Sequence, residues 1–163
     1  MKKCKIKSQH KNLTVYIDGS SKGNPGEGAC TAIFYDEKGN IIAEEGLVLG
    51  ICTNNFAEYS ALKLAIDIAK RYNVSNLKIF SDSQLVVKQI NGEYKIKDPE
   101  LKKLYDIVIK EIKRFKNFTI EYIPREKNKL ADKFLKELLK SKKLSRNNQI
   151  KLQKEREKDF KYK

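Results

Sequence analysis

The sequence is poor in the residues that build thiolate metal sites, disulfide frameworks and histidine-dependent catalytic triads. Its 163 residues include three cysteines, one histidine and no tryptophan. Cys4, Cys30 and Cys52 are odd in number and lack the close spacing of metal ligands, so reduced thiols are expected rather than disulfides or zinc ligands. The single histidine, His10, leaves no recognisable serine–histidine or cysteine–histidine arrangement for nucleophilic catalysis.

Long apolar runs are also absent. No window of about 18 apolar residues could form a membrane-spanning helix, and the lysine-rich first twelve residues lack the apolar core of a secretory signal. We therefore expect a cytoplasmic protein. A chain of this length is expected to fold as one compact domain.

The positive charge is concentrated at the two ends of the chain. There are 35 basic and 21 acidic residues, which gives a net charge of +14. We predict a basic N-terminal extension at 1–12, a nearly charge-balanced domain at 13–140 and a basic C-terminal tail at 141–163. Such tails favour a polyanion as partner, with nucleic acid the first candidate and an acidic membrane surface the second. A lysine-rich composition shared by all proteins of the same source is the alternative explanation.

Hydrophobic periodicity predicts an α/β fold. Strands are expected at 13–18, 28–36, 41–49, 77–81 and 118–123, and helices at 55–72, 83–90, 99–115 and 127–140. The order βββαβααβα predicts an antiparallel meander followed by strands that lie parallel to the first. All five strands would form one mixed sheet flanked by helices. Asn54 or Asn55 is the expected N-cap of the first helix.

Four acidic residues are expected to meet at one edge of this sheet. Asp18 and Asp82 each follow directly on an apolar strand. Glu58 lies on the apolar stripe of the first helix, and Asp132 lies near the start of the last helix. A strand end, an N-cap or a helix dipole would explain each acid separately. Gathered together they need a counter-charge, which a hard divalent cation such as Mg²⁺ supplies.

Four sequence segments carry a family resemblance. They are YIDGSSKGNPGEGA at 16–29, TNNFAE at 53–58, SDSQLV at 81–86 and PREKNKLAD at 124–132. In this order and spacing, the chain from Leu13 to Leu139 resembles ribonuclease H of the smaller bacterial type. The resemblance implies a ribonuclease H-like fold. It also implies an endoribonuclease that hydrolyses the RNA strand of RNA–DNA hybrids and leaves 5′-phosphate and 3′-hydroxyl ends.

The same resemblance implies the roles of individual residues. Asp18, Glu58, Asp82 and Asp132 would be catalytic acids that bind two Mg²⁺ ions, with Mn²⁺ as a possible substitute, for two-metal hydrolysis. The residues implied to line the minor groove of the hybrid are Gly19, Ser20, Asn24, Asn54, Asn55 and Gln84. Their amide and backbone groups suit a ribose 2′-hydroxyl, which both donates and accepts hydrogen bonds.

Two features depart from the family pattern. The loop PREKNK lacks the histidine that many members carry before the last acidic helix. We expect activity without it, with Glu126 or a metal-bound water as the substitute, or with slower turnover. The tryptophan-bearing basic handle of some members is replaced by the short segment NGEYKIKDPELKK. Its lysines would form a reduced basic patch or simply a solvated helix face: Lys95, Lys97, Lys102 and Lys103.

Two alternatives to a stand-alone hydrolase stay open at this point. One is a non-catalytic nucleic-acid-binding module of the same fold, which should have lost at least one of the four acids. The other is the nuclease domain of a reverse transcriptase separated from its polymerase. The expected partner in the enzymatic reading is an RNA–DNA hybrid, with neither a membrane nor an obligate protein partner, and the expected state is a monomer.

Overall fold

The computed structural model describes residues 10–141, which form five strands and four helices. The strands are β1 (Asn12–Gly23), β2 (Gly26–Tyr35), β3 (Ile41–Cys52), β4 (Asn76–Ser81) and β5 (Asn117–Tyr122). The helices are α1 (Asn54–Arg71), α2 (Gln84–Ile90), α3 (Pro99–Ile112) and α4 (Lys129–Ser141), and a 3₁₀ turn at Arg125–Lys127 precedes α4. Apart from residues 10–12 and Ser141, the predicted basic extension and tail lie outside this range, so the predicted domain limits stay predictions.

The five strands form one mixed sheet in the order β3-β2-β1-β4-β5. Strands β1, β2 and β3 pair antiparallel, whereas β4 pairs parallel with β1 and β5 pairs parallel with β4. The predicted α/β fold, the element order along the chain and the mixed sheet are therefore confirmed. The described part of the chain contains no helix with the length and apolar character needed to cross a bilayer.

Two layers of side chains cover the sheet. On one face, alternate residues of β1, namely Leu13, Val15 and Ile17, are buried against α1. That contact follows from the period of two along a strand and the helical spacing of alanines and leucines along α1. On the other face, a smaller cluster joins Ala29 to Leu135 and Leu139 of α4. The main core therefore fixes α1 against the centre of the sheet.

Local capping differs from the sequence prediction at the start of α1. The N-cap is Thr53, whose Oγ1 accepts a hydrogen bond from the backbone N–H of Phe56 at 3.1 Å. The prediction of Asn54 or Asn55 as N-cap was therefore wrong. The threonine hydroxyl satisfies the helix N–H three residues further along. The side chain of Asn54 is engaged elsewhere, because its Oδ1 accepts from Ser21 N at 3.3 Å.

Strand β1 is longer than expected because its polar end still pairs with β2. Ser20 lies opposite Ala29 and Ser21 lies opposite Gly28 in an unbroken register. The strand was predicted to end at Asp18, but these residues continue the hairpin beyond it. The acid is consequently held inside a paired strand.

A buried ion network connects α1 to α3. Lys63 is fully buried, and its Nζ lies 2.7 Å from Asp67 Oδ1 and 3.4 Å from Glu111 Oε1. Lys70 lies at the margin, 3.5 Å from Glu111 Oε2. Burying charges is costly unless each has a partner, so these groups stabilise the helix pair only as a complete set. Sequence periodicity gave no indication of this network.

Replacing Lys63 with alanine is expected to lower the free energy of unfolding by about 3 kcal/mol, because Asp67 and Glu111 lose their buried partner. The matched control is Lys102→Ala. Lys102 also pairs four residues along its helix, with Asp106 at 2.9 Å, but it is 52% exposed. That change should cost less than about 1 kcal/mol. Chemical denaturation of both variants measures the difference, and equal costs would contradict a structural role for the buried network.

Candidate active site

The first two acids lie where the parallel pairing of two neighbouring strands ends, Asp18 within β1 and Asp82 directly after β4. In the register of β1 with β4, Ile17 lies opposite Ser81, so Asp18 and Asp82 follow at the same edge of the sheet. Asp18 is only 7% exposed, and its Oδ1 accepts a hydrogen bond from Gly19 N at 2.9 Å. Rigid strand backbone therefore positions both carboxylates.

Close packing of α1 on β1 brings Glu58 to this edge. A Cβ atom at Gly19 would lie 2.2 Å from Ala57 O and 2.8 Å from Glu58 N. Only glycine allows the first turns of α1 to approach β1 so closely. Gly19, which was predicted to contact substrate, is itself buried and has this packing role.

Ser83 connects Glu58 to the start of α2. Its Oγ donates to Glu58 Oε1 at 2.9 Å and accepts from Val86 N at 3.2 Å, so one hydroxyl caps α2 and orients the acid. Ser83 N in turn donates to the buried Ser81 Oγ at 3.0 Å. These bonds link the end of β4 to the first turns of two helices.

Asn128 holds the segment before α4 against the same edge. Its side chain is almost fully buried, and its Nδ2 donates to Ile17 O at 2.8 Å and to Asp82 Oδ2 at 3.4 Å. A second anchor is Thr31, which lies opposite Asp18 and donates from Oγ1 to Ala131 O at 3.0 Å. These two contacts place Asp132 in the first turn of α4 beside the strand ends.

The electrostatics show that the acids act on one another. Burial raises the pKa of Asp18 to about 8, with the charges of Asp82 and Asp132 as further causes. Burial also raises the pKa of Glu58 to about 7. The Ser83 hydrogen bond lowers that value, whereas the charge of Asp82 raises it. The pKa of Asp82 is raised, again mainly by burial. Each of the four acids that the sequence singled out therefore interacts electrostatically with at least one of the others.

The donor set fits a divalent cation that keeps part of its coordination open. Within residues 10–141, no three side chains of His, Cys, Asp or Glu form a ready-made ligand cluster. Mg²⁺ is commonly held by one or two carboxylates, several waters and substrate phosphate oxygens, so it does not require such a cage. All four acids offer hard oxygen donors, and the raised pKa values of Asp18, Glu58 and Asp82 show that burial makes their ionisation costly without a nearby cation.

The 3₁₀ turn contributes a residue that the sequence analysis did not single out. The positive charge of Arg125 lowers the pKa values of Asp18, Glu58 and Asp82, although burial outweighs it. Glu126, expected as a substitute for the absent histidine, is exposed in the same turn, and that expectation stays a prediction. The sequence signal that could have identified Arg125 was its position as a basic residue in the loop that precedes Asp132.

The residues predicted to bind substrate lie on the segments that surround the acids. Asn24 Oδ1 accepts from Asn54 N at 3.0 Å, so the β1–β2 hairpin and the start of α1 are joined through an asparagine side chain. Ser20 and Asn55 are half-buried, and Gln84 is exposed at the first position of α2. Their substrate contacts stay predictions.

Comparison with known proteins gives a consistent result. A family model described as reverse transcriptase-like matches residues 16–138. Ribonuclease HI of Halobacterium salinarum is 36% identical over 124 residues, which cover 76% of this chain and 62% of that protein. A bifunctional protein of Mycobacterium tuberculosis is 34% identical over 122 residues, which cover 74% of this chain but 34% of that protein. The chain thus spans less than two thirds of these curated relatives.

Solved structures share the fold over most of the described domain. The crystal structure of RNase H1 from Halobacterium salinarum has a TM-score of 0.77 and 35% identity, covering 80% of this chain and 98% of that one. The structure of LC11-RNase H1 in complex with an RNA/DNA hybrid has a TM-score of 0.72 and 34% identity. It covers 77% of this chain and 94% of that one.

Gly19→Ala should lower the free energy of unfolding by about 3 kcal/mol, because its methyl group would overlap the backbone of Ala57. Gly39→Ala is the control. At Gly39 a Cβ would meet nothing within 4 Å, and only the φ of +83° opposes the change, at a cost of about 1 kcal/mol. Denaturant titration compares the two variants. A Gly19 variant as stable as the wild type would contradict the close packing of α1 on β1.

Proposed function

Because the chain belongs to the ribonuclease H family, we propose that it is an endoribonuclease that hydrolyses the RNA strand of RNA–DNA hybrids. The observation that carries the proposal is the mutual electrostatic influence of Asp18, Glu58, Asp82 and Asp132 around the point where the pairing of β1 with β4 ends. A similar solved protein binds an RNA/DNA hybrid, which supports the choice of substrate.

The four acids would hold divalent cations, of which Mg²⁺ suits their hard oxygen donors best. When bound, such ions activate water and stabilise negative charge on the phosphate. The protein residues around them have positioning roles. Ser83 orients Glu58 through its hydroxyl, and Asn128 restrains Asp82 through its side-chain amide. Because the pKa values of Asp18, Glu58 and Asp82 are raised, a bound cation would be needed for all the carboxylates to ionise together.

Recognition of the RNA strand would fall to the polar rim of the site. Asn24, Asn54 and Gln84 project from the hairpin, α1 and α2, which border the acids. Since Asn24 and Asn54 each use Oδ1 within the protein, their Nδ2 groups are the hydrogen-bond donors left to face a 2′-hydroxyl oxygen. The ribose 2′-hydroxyl is the group that distinguishes RNA from DNA.

A basic and aromatic surface between α2 and α3 is the proposed contact for the hybrid backbone. Lys88 Nζ lies 5.0 Å from the ring centroid of Tyr94, and Lys102 Nζ lies 5.7 Å from that of Tyr105. Gly92, Tyr94, Lys95, Ile96, Lys102 and Tyr105 line a groove of about 390 Å³ there. Lysines can bind phosphates as point charges, so this surface would replace part of the missing handle.

The proposed role of Arg125 is electrostatic. The positive charge of this residue lowers the pKa values of three of the acids: Asp18, Glu58 and Asp82. This arrangement would favour ionised carboxylates in a loop that has no histidine. His10 lies at the opposite end of β1 from the acids and pairs with Glu37 at 3.5 Å, so it takes no part in the proposed reaction.

Cleavage of an end-labelled RNA tests the proposal. The RNA is presented single-stranded, paired with RNA and paired with DNA, each with Mg²⁺ or EDTA. We expect Mg²⁺-dependent cutting of the hybrid alone. Asp18→Asn should reduce the rate at least about 100-fold, because removing a residue that binds charge in the transition state costs several kcal/mol. Glu44→Gln, a change at an exposed acid on β3, should leave the rate unchanged.

The alternatives give distinct outcomes in the same assay. Tight hybrid binding without cutting would favour a non-catalytic binding module. A match to a reverse transcriptase-like family model keeps the nuclease domain of a larger polymerase as the second candidate. Cutting that persists in EDTA would contradict a metal-dependent mechanism.

A further inference from the structure

One face of the sheet carries half-buried aromatic side chains beside exposed polar ones. On the side opposite α1, helix α4 packs on β1, β2 and β3. Toward β4 and β5, Lys78, Thr119 and Glu121 are exposed, and Phe80 is half-buried. We call this surface the open sheet face and define it by Thr14, Tyr16, Tyr35, Lys78, Phe80 and Thr119. The catalytic assignments above use none of these residues.

Three aromatic rings form a row across this face. Tyr35, Tyr16 and Phe80 come from the adjacent strands β2, β1 and β4. The ring centroids of Tyr16 and Tyr35 are 5.3 Å apart, and those of Tyr16 and Phe80 are 5.0 Å apart. Cross-strand packing explains their contact with one another but not their partial exposure to solvent. Grouped apolar surface of this kind commonly marks an interaction site.

Cationic and amide groups border the aromatic row. Lys78 Nζ lies 5.4 Å from the Phe80 ring centroid. At the end nearer the acids, Tyr16 and Tyr35 share a pocket of about 170 Å³ with Lys127 and Asn128. At the far end, a groove of about 260 Å³ contains a ladder of three asparagines joined by 2.6 Å hydrogen bonds: Asn12, Asn76 and Asn117.

The open sheet face continues directly from the candidate active site. Successive side chains of a strand alternate between faces, so Asp18, Tyr16 and Thr14 point to the same side of β1, about 7 Å apart. Asn128 belongs to both regions, because it bonds to Asp82 and also lines the pocket of Tyr16. A nucleic-acid strand that leaves the acids along β1 would therefore cross the aromatic row.

We propose that the open sheet face binds single-stranded nucleic acid, with about two or three bases stacked on the row of Tyr16, Tyr35 and Phe80. Sheets with exposed aromatics flanked by cations bind single strands in this manner, because every base has a π face and every linkage a negative charge. Lys78 and Lys127 would contact the backbone. Glu121 lies 3.7 Å from Lys78, but both are about half-exposed, so this pair is weak enough for a phosphate to replace.

The chemistry of the face favours this occupant over a protein segment. The chain has a net charge of +14, which attracts polyanions. The aromatic row is narrow and bordered by lysine and amide groups, whereas a protein interface core is depleted of charge. The site makes no use of the four acids, so the inference does not rest on hybrid cleavage.

The test is the binding of a fluorescein-labelled single-stranded oligothymidylate, which a ribonuclease cannot cut. Fluorescence anisotropy compares the full chain with Tyr16→Leu and Phe80→Leu. Each leucine variant should weaken binding about tenfold, because one stacked base is lost. Tyr16→Phe keeps the ring and should retain the affinity. The variants do not alter charge, so the background from the basic ends is the same in all of them.

Tyr122→Leu is the matched control. Tyr122 is an exposed tyrosine of the same sheet, and it follows Glu121, whose side chain reaches Lys78 on the open face. Alternation therefore directs Tyr122 to the opposite side, and this variant should bind like the wild type. With no tryptophan in the chain, quenching of tyrosine emission on binding gives a second readout.

If the leucine variants fold poorly, a substitution at the exposed Lys78 tests the same surface. Lys78→Gln should weaken binding and reduce the slope of log affinity against log salt by about 0.7, the value for one phosphate contact on a single strand. Leucine variants that fold and bind like the wild type, or a Tyr122 variant that loses as much affinity, would overturn the proposal. Cleavage of an RNA–DNA hybrid without single-stranded ends by the same variants tests the role of the four acids separately.

Discussion

The parallel register between β1 and β4 is the constraint on which the rest of the site depends. It sets Asp18 beside Asp82 where the pairing of the two strands ends, in surroundings where burial raises both pKa values. Moving the Asp18 side chain to the other face of β1 would break the alternation that buries the core residues of this strand. The fold therefore keeps like charges close together, and the neighbouring contacts serve to hold them there.

Those contacts come from segments that are far apart along the chain. Gly19 lets α1 approach until Glu58 reaches the site, while Ser83 and Asn128 provide hydrogen bonds to two of the carboxylates. The buried ion network of Lys63 anchors the same helix to α3. The carboxylates of this site are costly to ionise, and the helix that carries Glu58 is held in place by the main core and by the buried ion network. Proteins commonly compensate in this way, elsewhere in the fold, for unfavourable interactions at a functional site.

Sequence patterns predicted what depends on local periodicity. The alternation of β1 and β4 and the helical spacing of α1 gave the element order, the mixed sheet and the candidate acids at strand ends. Patterns could not predict contacts between distant residues. Asn128 bonds to Ile17 across 111 positions, and Lys63 meets a carboxylate on another helix. The predicted cap of α1 lay one or two residues too far along the chain because three polar residues compete there, and only tertiary contacts engage Asn54 with the hairpin.

The most direct test of the electrostatic constraint is the stability of wild type and Asp18→Asn, measured by denaturation in EDTA from pH 4 to pH 9. The pKa of Asp18 is raised to about 8 by folding, from about 4 in the unfolded chain. Its ionisation therefore costs nothing below pH 4 and progressively destabilises the wild type as the pH rises toward 8. Asp18→Asn should therefore become the more stable protein by several kcal/mol at pH 9. A stability difference that does not change with pH would contradict a buried, costly carboxylate at Asp18.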